Sequence, residues 1–265
     1  MIDVPLDNYE YCCRFAIELA RGRKLKVLDY GCGAGQIVRM LRDRGLDAYG
    51  CDVFYEGGNY SANVPAELMG SVIRRMEGGT IPFDSESFDL VINNQVMEHV
   101  EDLDGVTREI ARVLKPGGAV LSLFPDRSVW REGHCGIPFL HWFPKNSRVR
   151  VYYAAAFRML GFGYHTRGKG VLQWSRDFAR WLDQWTYYRP YDEIATVVTR
   201  NLSPPRHIEP HWFDLRAGTR FPFVTAIPDF LKSWAVRKLV GLVFVCVKPC
   251  AGARPQSLTA ASGGA

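Results

Sequence analysis

The densest chemistry in the chain lies at Asp29-Tyr30-Gly31-Cys32-Gly33-Ala34-Gly35-Gln36. Three alternating glycines let the backbone turn tightly and approach a ligand with no Cβ in the way. A helix opening at Gln36 offers unpaired N–H groups to a carboxylate or phosphate. Such a turn alone does not choose a ligand, since dinucleotide sites use the same device. Two details choose. The spacing is Gly-x-Gly-x-Gly, and Gln36 stands where a dinucleotide site needs its third glycine, which disfavours an NAD-dependent oxidoreductase. Asp29 precedes the first glycine by two residues, and an acid there suits an amino group better than a pyrophosphate.

Further reactive side chains follow in order. Cys51-Asp52-Val53 places a carboxylate at the end of an expected strand. Residues 126–141 hold Asp126, Glu132, His134 and His141, types that move protons or orient an acceptor. The glycine in Arg131-Glu132-Gly133-His134 implies a bend that aims His134 inward. Asp126, His134 and His141 are therefore the candidate catalytic residues. Gln95-Val96-Met97-Glu98-His99 supplies one carboxylate where a hard cation favours several oxygen ligands, so no metal is expected there.

These side chains need strand ends to hold them. Leu25 to Tyr30, Ala48 to Val53, Phe88 to Asn93 and Ala119 to Phe124 read as buried strands. Helical spacing covers Tyr9 to Arg21, Gln36 to Arg44, Ala66 to Arg75 (with a short strand near Ile73 to Met76) and Asp102 to Leu114. Asp102 can cap the last of these, Leu103, Val106, Ile110 and Val113 form its apolar stripe, and Lys115-Pro116-Gly117-Gly118 ends it. Alternating strands and helices imply an α/β fold with a doubly wound, mostly parallel sheet.

The composition changes after Pro125. Residues 126–190 contain 15 aromatics, including five of the seven tryptophans, and 11 Lys/Arg against 4 Asp/Glu. This stretch reads as an aromatic and basic cap inserted after the fifth strand. Ser175 to Tyr188 and Tyr191 to Arg200 look helical, and Val240 to Val247 reads as a closing strand. The expected division is a ligand-binding core at 1–125, a cap at 126–205, completion of the sheet at 206–250, and a disordered tail at 251–265.

Residues 25–125 resemble the core of class I methyltransferases that use S-adenosylmethionine (SAM), in the broad group that includes the ubiquinone and menaquinone biosynthesis enzymes. The resemblance rests on DYGCGAGQ, YGCDV, IPFDSESFDLV, VMEHV and RVLKPGG. It implies a Rossmann-like seven-stranded sheet whose last strand is antiparallel, with SAM as cofactor. Asp29 and the Gly31, Gly33, Gly35 loop would hold the methionine end. Asp52 would hold the ribose, and Glu77 or the Met76 backbone the adenine. Asn94 would line the sulfonium region. Some relatives carry Glu-x-x-Glu-His in the loop after the fourth strand and bind a divalent metal there; this chain has Gln95 at the first position.

Composition bounds the acceptor only loosely. The chain has 265 residues, 47% apolar and 23% charged, with a net charge of +5. That excess permits contact with phosphates without demanding it. Seven cysteines at 12, 13, 32, 51, 135, 246 and 250 form no CxxC pair, which fits a reducing cytoplasm. The N-terminus MIDVPLDNYE lacks a signal-peptide pattern, and no apolar run is long enough to cross a bilayer. Asn94-Gln95-Val96-Met97 is not the Asn/Asp-Pro-Pro-Tyr/Phe of amino-methylating enzymes, and Pro249-Cys250 lies too near the end for a cytosine nucleophile. Without a separate recognition domain, nucleic acid is disfavoured as partner. A small molecule, or a glycan or lipid-linked precursor methylated on oxygen, suits an aromatic and basic cap. Ring C-methylation and a non-catalytic SAM-binding scaffold are the alternatives. Arg148, Arg150 and Arg158 are candidate anion contacts, and residues 221–234 candidate pocket walls or a peripheral membrane contact.

Overall fold

A computed structural model describes residues 7–166, 168–217 and 221–250. The expected tail, 251–265, lies outside them. In chain order the elements are α1 (Asn8–Ala20), β1 (Lys26–Tyr30), α2 (Gln36–Asp43), β2 (Asp47–Asp52), β3 (Ile73–Arg75), β4 (Phe88–Asn94), α3 (Leu103–Val113), β5 (Leu114–Phe124), α4 (Arg148–Met159), α5 (Val171–Trp185), α6 (Tyr191–Thr199), β6 (Arg206–His207), α7 (Glu209–Ala217), α8 (Asp229–Leu239) and β7 (Leu242–Val247).

The seven strands lie in the order β3-β2-β1-β4-β5-β7-β6. The first five are parallel, and β7 runs antiparallel to both β5 and β6. After β1 the chain builds outward through β2 and β3, then returns to the other side of β1 with β4. That reversal opens a crevice beyond the carboxyl ends of β1 and β4, where open α/β sheets bind ligands. Each sheet face is buried, which is why the strands read as continuous apolar runs. One face packs α1, α2, α7 and α8 through Tyr11, Ile37, Leu41, Trp212 and Val236. The other packs α3 and α6 through Leu103, Ile110, Ile194 and Val198.

The expected core elements are present with small shifts at their ends. Asp102 caps α3, its carboxylate accepting the Gly105 N–H at 2.9 Å, and the apolar stripe is buried as expected. The helix expected at Ala66 to Arg75 does not form. Met69 N–H reaches Pro65 O for a single turn, then Gly70 takes φ 85 and redirects the chain into β3. Lys115-Pro116-Gly117-Gly118 ends α3 but also belongs to β5, with Lys115 Nζ paired to Asp89 at 2.9 Å. The cap helix expected from Ser175 starts at Val171, and α4, α7, α8 and β6 were not foreseen.

Between β5 and α6 the chain builds a satellite core of its own. Cys135, Ile137, Leu140, Ala154, Trp174 and Leu182 pack together apart from the two sheet faces. Residues 126–205 are thus not one block, since α6 packs on α3 in the main core.

Candidate active site

The glycine loop joins β1 to α2 with all three glycines at positive φ. A Cβ on Gly31 would collide with the Val96 side chain, and one on Gly35 with Ile73. Gly31 and Cys32 N–H both point to Cys51 O, at 2.8 and 3.1 Å. Gly33 N–H donates to Asp52 Oδ2 at 2.9 Å, and Phe54 N–H donates to Oδ1 at 2.6 Å. Asp52 therefore fixes the loop from the tip of the neighbouring strand. Phe54 and Gln95, at the tips of β2 and β4, are non-glycines held at φ 49 and 58. Such backbone strain concentrates where a site needs fixed geometry.

Asp29 points into this region from β1. It is 3% exposed, and its carboxylate has no hydrogen-bond partner among the described residues. Burial, then the nearby Asp52 charge, pushes its pKa up to about 8. A buried carboxylate lacking a donor fits a cationic guest such as the ammonium of an amino acid. Asn94, at the tip of β4, accepts from Asn8 Nδ2 at 3.2 Å, which draws the start of α1 against the crevice. Met76 N–H meets Asp52 O at 2.8 Å while its side chain joins the core. Glu77 is exposed in the next turn.

The Asp29 arrangement has a pH signature. The folded pKa lies above the ordinary value of 3.8, so the folded state holds the proton more tightly than the unfolded chain between pH 4 and 8. The ligand-free protein loses stability as pH rises through that window. At about 1.4 kcal/mol per pK unit over the roughly three units between pH 5 and pH 8, Asp29→Asn should stabilise the ligand-free protein by roughly 4 kcal/mol more at pH 8 than at pH 5. Melting curves at both pH values check this. An equal shift at both would rule out the proton linkage.

Beyond β4, a short turn at Met97–His99 meets the satellite core. The segment from Arg131 to Pro138 folds back on itself, with Glu132 N–H on Ile137 O at 3.0 Å. That turn brings His134 to His99, Nε2 to Nε2 at 3.1 Å. His134 Nδ1 lies 2.7 Å from Glu132 Oε1. Burial would raise the Glu132 pKa, but His134, the Cys135 N–H and the Tyr188 hydroxyl pull it down to about 2. Burial would lower the pKa of His134, but Glu132 outweighs it and the net shift is upward. His99 goes the other way: burial outweighs the Trp185 carbonyl and takes it to about 4. Glu98 is 1% exposed, and burial pushes it up to about 7 against the pull of His134. Tyr55 stacks against His99 and Trp185 and feels both Glu98 and Asp52, so the cluster adjoins the glycine-loop site.

The other catalytic candidates sit elsewhere. His141 is 7% exposed, stacked on Tyr188 at 4.5 Å, and burial lowers its pKa to about 4. It lines a separate cavity of about 300 Å³ with Arg127, Lys145 and Tyr187. Asp126 is spent on a turn, its Oδ1 accepting Ser128 N–H and Oγ–H at 3.1 and 2.9 Å. It borders a cleft of about 790 Å³ with Phe230, Trp234, Arg237 and Lys238. No contact joins either residue to the His99–His134 pair among the described residues. Arg150 is 4% exposed and ion-paired to Asp183, so it braces the cap rather than waiting for an anion.

The comparisons agree with this geometry. Residues 28–122 match the family described as a methyltransferase domain. The core of the chain is a class I SAM-dependent methyltransferase domain. A ubiquinone biosynthesis O-methyltransferase of Chelativorans sp. is 29% identical over 46% of this chain and 50% of its own length. A sterol 24-C-methyltransferase of Gibberella zeae is 35% identical over 36% of this chain and 26% of its own. The chain thus spans half or less of these curated relatives. A SAM-dependent methyltransferase of Mesorhizobium loti shares the fold at TM-score 0.50 and 15% identity, covering 90% of this chain and 97% of that one. SAM is the cofactor of this domain, and the residues present fit it: the buried Asp29 carboxylate for an ammonium, a turn of three glycines held at positive φ, and Asp52 at the tip of β2. Among the described residues no helix is long and apolar enough to cross a membrane.

Proposed function

We propose that the protein transfers a methyl group from SAM to an oxygen of a small molecule, or of a glycan or lipid-linked precursor, in the cytoplasm. The observation that carries this is the Glu132–His134 pair seated beside the turn after β4, next to the cofactor crevice. Methyl transfer is an in-line displacement that needs donor and acceptor aligned, plus removal of a proton when the acceptor is a hydroxyl. Asp29, the glycine loop, Asp52 and Asn94 hold the cofactor, with Met76 and Glu77 at its adenine end. His134 positions or deprotonates the acceptor, and Glu132 fixes its ring. The cap supplies Trp181 and Trp185, and the turn after β2 supplies Tyr55, for a planar or sugar-like ring. Bound SAM supplies the activated methyl group and nothing else.

Seven free cysteines, six of them buried, support a reducing compartment. The sterol relative keeps carbon as an alternative acceptor atom, and a carbon nucleophile relies less on a base. The test is transfer of radioactive methyl from SAM into source-cell extract fractionated into lipid, small-molecule, polysaccharide, RNA and protein pools. Label in the lipid, small-molecule or polysaccharide pool is expected. Label confined to RNA or protein overturns the acceptor assignment, and label in no pool favours a non-catalytic scaffold.

A further inference from the structure

Around Glu98, three segments bring hydrogen-bond acceptors to one point, and the protein supplies too few protons to meet them. His99 Nδ1 lies 2.6 Å from the Trp185 carbonyl oxygen. A carbonyl only accepts, so Nδ1 carries the ring proton and Nε2 the lone pair. His134 Nδ1 faces Glu132 Oε1 at 2.7 Å. Glu132 is fully buried and already takes the Tyr188 hydroxyl at 2.7 Å and the Cys135 N–H at 2.7 Å, as an ionised carboxylate does. His134 Nδ1 therefore carries a proton as well. The two Nε2 atoms then meet lone pair to lone pair at 3.1 Å. Glu98 adds two buried carboxylate oxygens with no hydrogen-bond partner among the described residues.

A second proton on His134 reconciles the nitrogens. It leaves both oxygens of Glu98 stranded, and a buried carboxylate without a partner is costly. A cation between the three side chains satisfies all of them. One ligand atom each from Glu98, His99 and His134 lies within 4.8 Å of the others. Two nitrogens on a tetrahedral ion at about 2.0–2.1 Å would stand roughly 3.3 Å apart, near the separation seen here. The outer nitrogens are already anchored, one on a carboxylate and one on a carbonyl, the support that metal-binding imidazoles usually have.

We propose that Glu98, His99 and His134 bind a divalent transition-metal ion of the zinc class. Two imidazoles and one carboxylate favour such an ion over magnesium or calcium, which prefer all-oxygen shells. The sequence argued against a metal because Gln95 replaces a carboxylate, and Gln95 indeed turns its amide to Leu123 O at 3.3 Å. The replacement ligand comes from the cap instead, 35 positions beyond His99. Three protein ligands leave a fourth position open. On the oxygen-acceptor reading, which this part of the inference rests on, that position takes the acceptor hydroxyl, and His134 serves as ligand in place of base.

The test uses the full chain, free of any affinity tag and stripped with a chelator. Zinc and magnesium are titrated in by calorimetry, and retained metal is measured by mass spectrometry after desalting. One equivalent of zinc should bind, with magnesium not competing. His134→Ala and the isosteric Glu98→Gln should each weaken zinc binding at least tenfold, and Glu132→Gln about tenfold or more. SAM affinity measured on the same samples should stay within twofold, and melting curves confirm that each variant is folded. No zinc on the wild type, or equal zinc on wild type and variants, overturns the site. SAM binding without zinc sinks only the metal, and zinc binding without SAM sinks only the cofactor reading.

Discussion

Asp52→Ala should weaken SAM binding by two to four orders of magnitude. Two hydrogen bonds from ribose hydroxyls to a charged carboxylate are worth roughly 1.5–3 kcal/mol each, or about 3–6 kcal/mol together. At about 1.4 kcal/mol per tenfold, that is a 10²- to 10⁴-fold rise in Kd. The structure gives a second reason for a large effect. Asp52 already accepts the Gly33 and Phe54 N–H groups, so its carboxylate also fixes the loop proposed to hold the methionine end. Asp52→Asn separates the two contributions. The amide keeps one acceptor oxygen but loses the charge, and an intermediate loss of about 10- to 100-fold is expected. Calorimetry with SAM on both variants, with melting curves as a check on folding, decides the matter. An Asp52→Ala affinity within threefold of wild type would mean that the ribose does not sit here.

The crevice built by residues 25–125 was legible because its parts are local. Each is a strand end followed by a turn, and sheet topology alone places Asp29, Asp52 and Asn94 around one crevice. The count of seven strands and the antiparallel last strand came from the resemblance and not from the local pattern, because β6 is two residues long and leaves no apolar run to read. The helix read at 66–75 failed at one residue, because Gly70 adopts a positive φ that no helix tolerates. The cap resisted for a different reason. Its aromatics and arginines carry no single period, since Trp174, Leu182 and Ala154 face a private core while Trp181 and Trp185 face the site. The Glu98–His99–His134 cluster depends on a contact between segments 35 positions apart, and its two histidines sit in different structural units. The bend at Gly133 was the one signal pointing His134 inward.

His134 is where a substitution should separate chemistry from cofactor binding. His134→Ala should lower kcat by 10²- to 10⁴-fold, the range for loss of a positioned acid or base. SAM affinity should stay within about twofold, because His134 has no hydrogen bond to Asp29, Asp52 or the glycine loop. The effect is large in either role open to His134. As a base it loses the lone pair that takes the acceptor proton, and as a metal ligand it removes the ion that would orient and acidify that acceptor. The choice between them falls to Glu132→Gln. If His134 acts as a base, the amide weakens its hold on the ring and lowers kcat whether or not metal is present. If His134 is a ligand, added zinc should restore much of the loss by mass action. His141→Gln is the contrast, because His141 stands behind Tyr188 in another cavity and should leave kcat within about threefold of wild type. Single-turnover transfer of labelled methyl into the pool identified by fractionation reads all three variants. Full activity in folded His134→Ala would remove the histidine from the chemistry and move the weight to alignment alone, as a carbon acceptor allows.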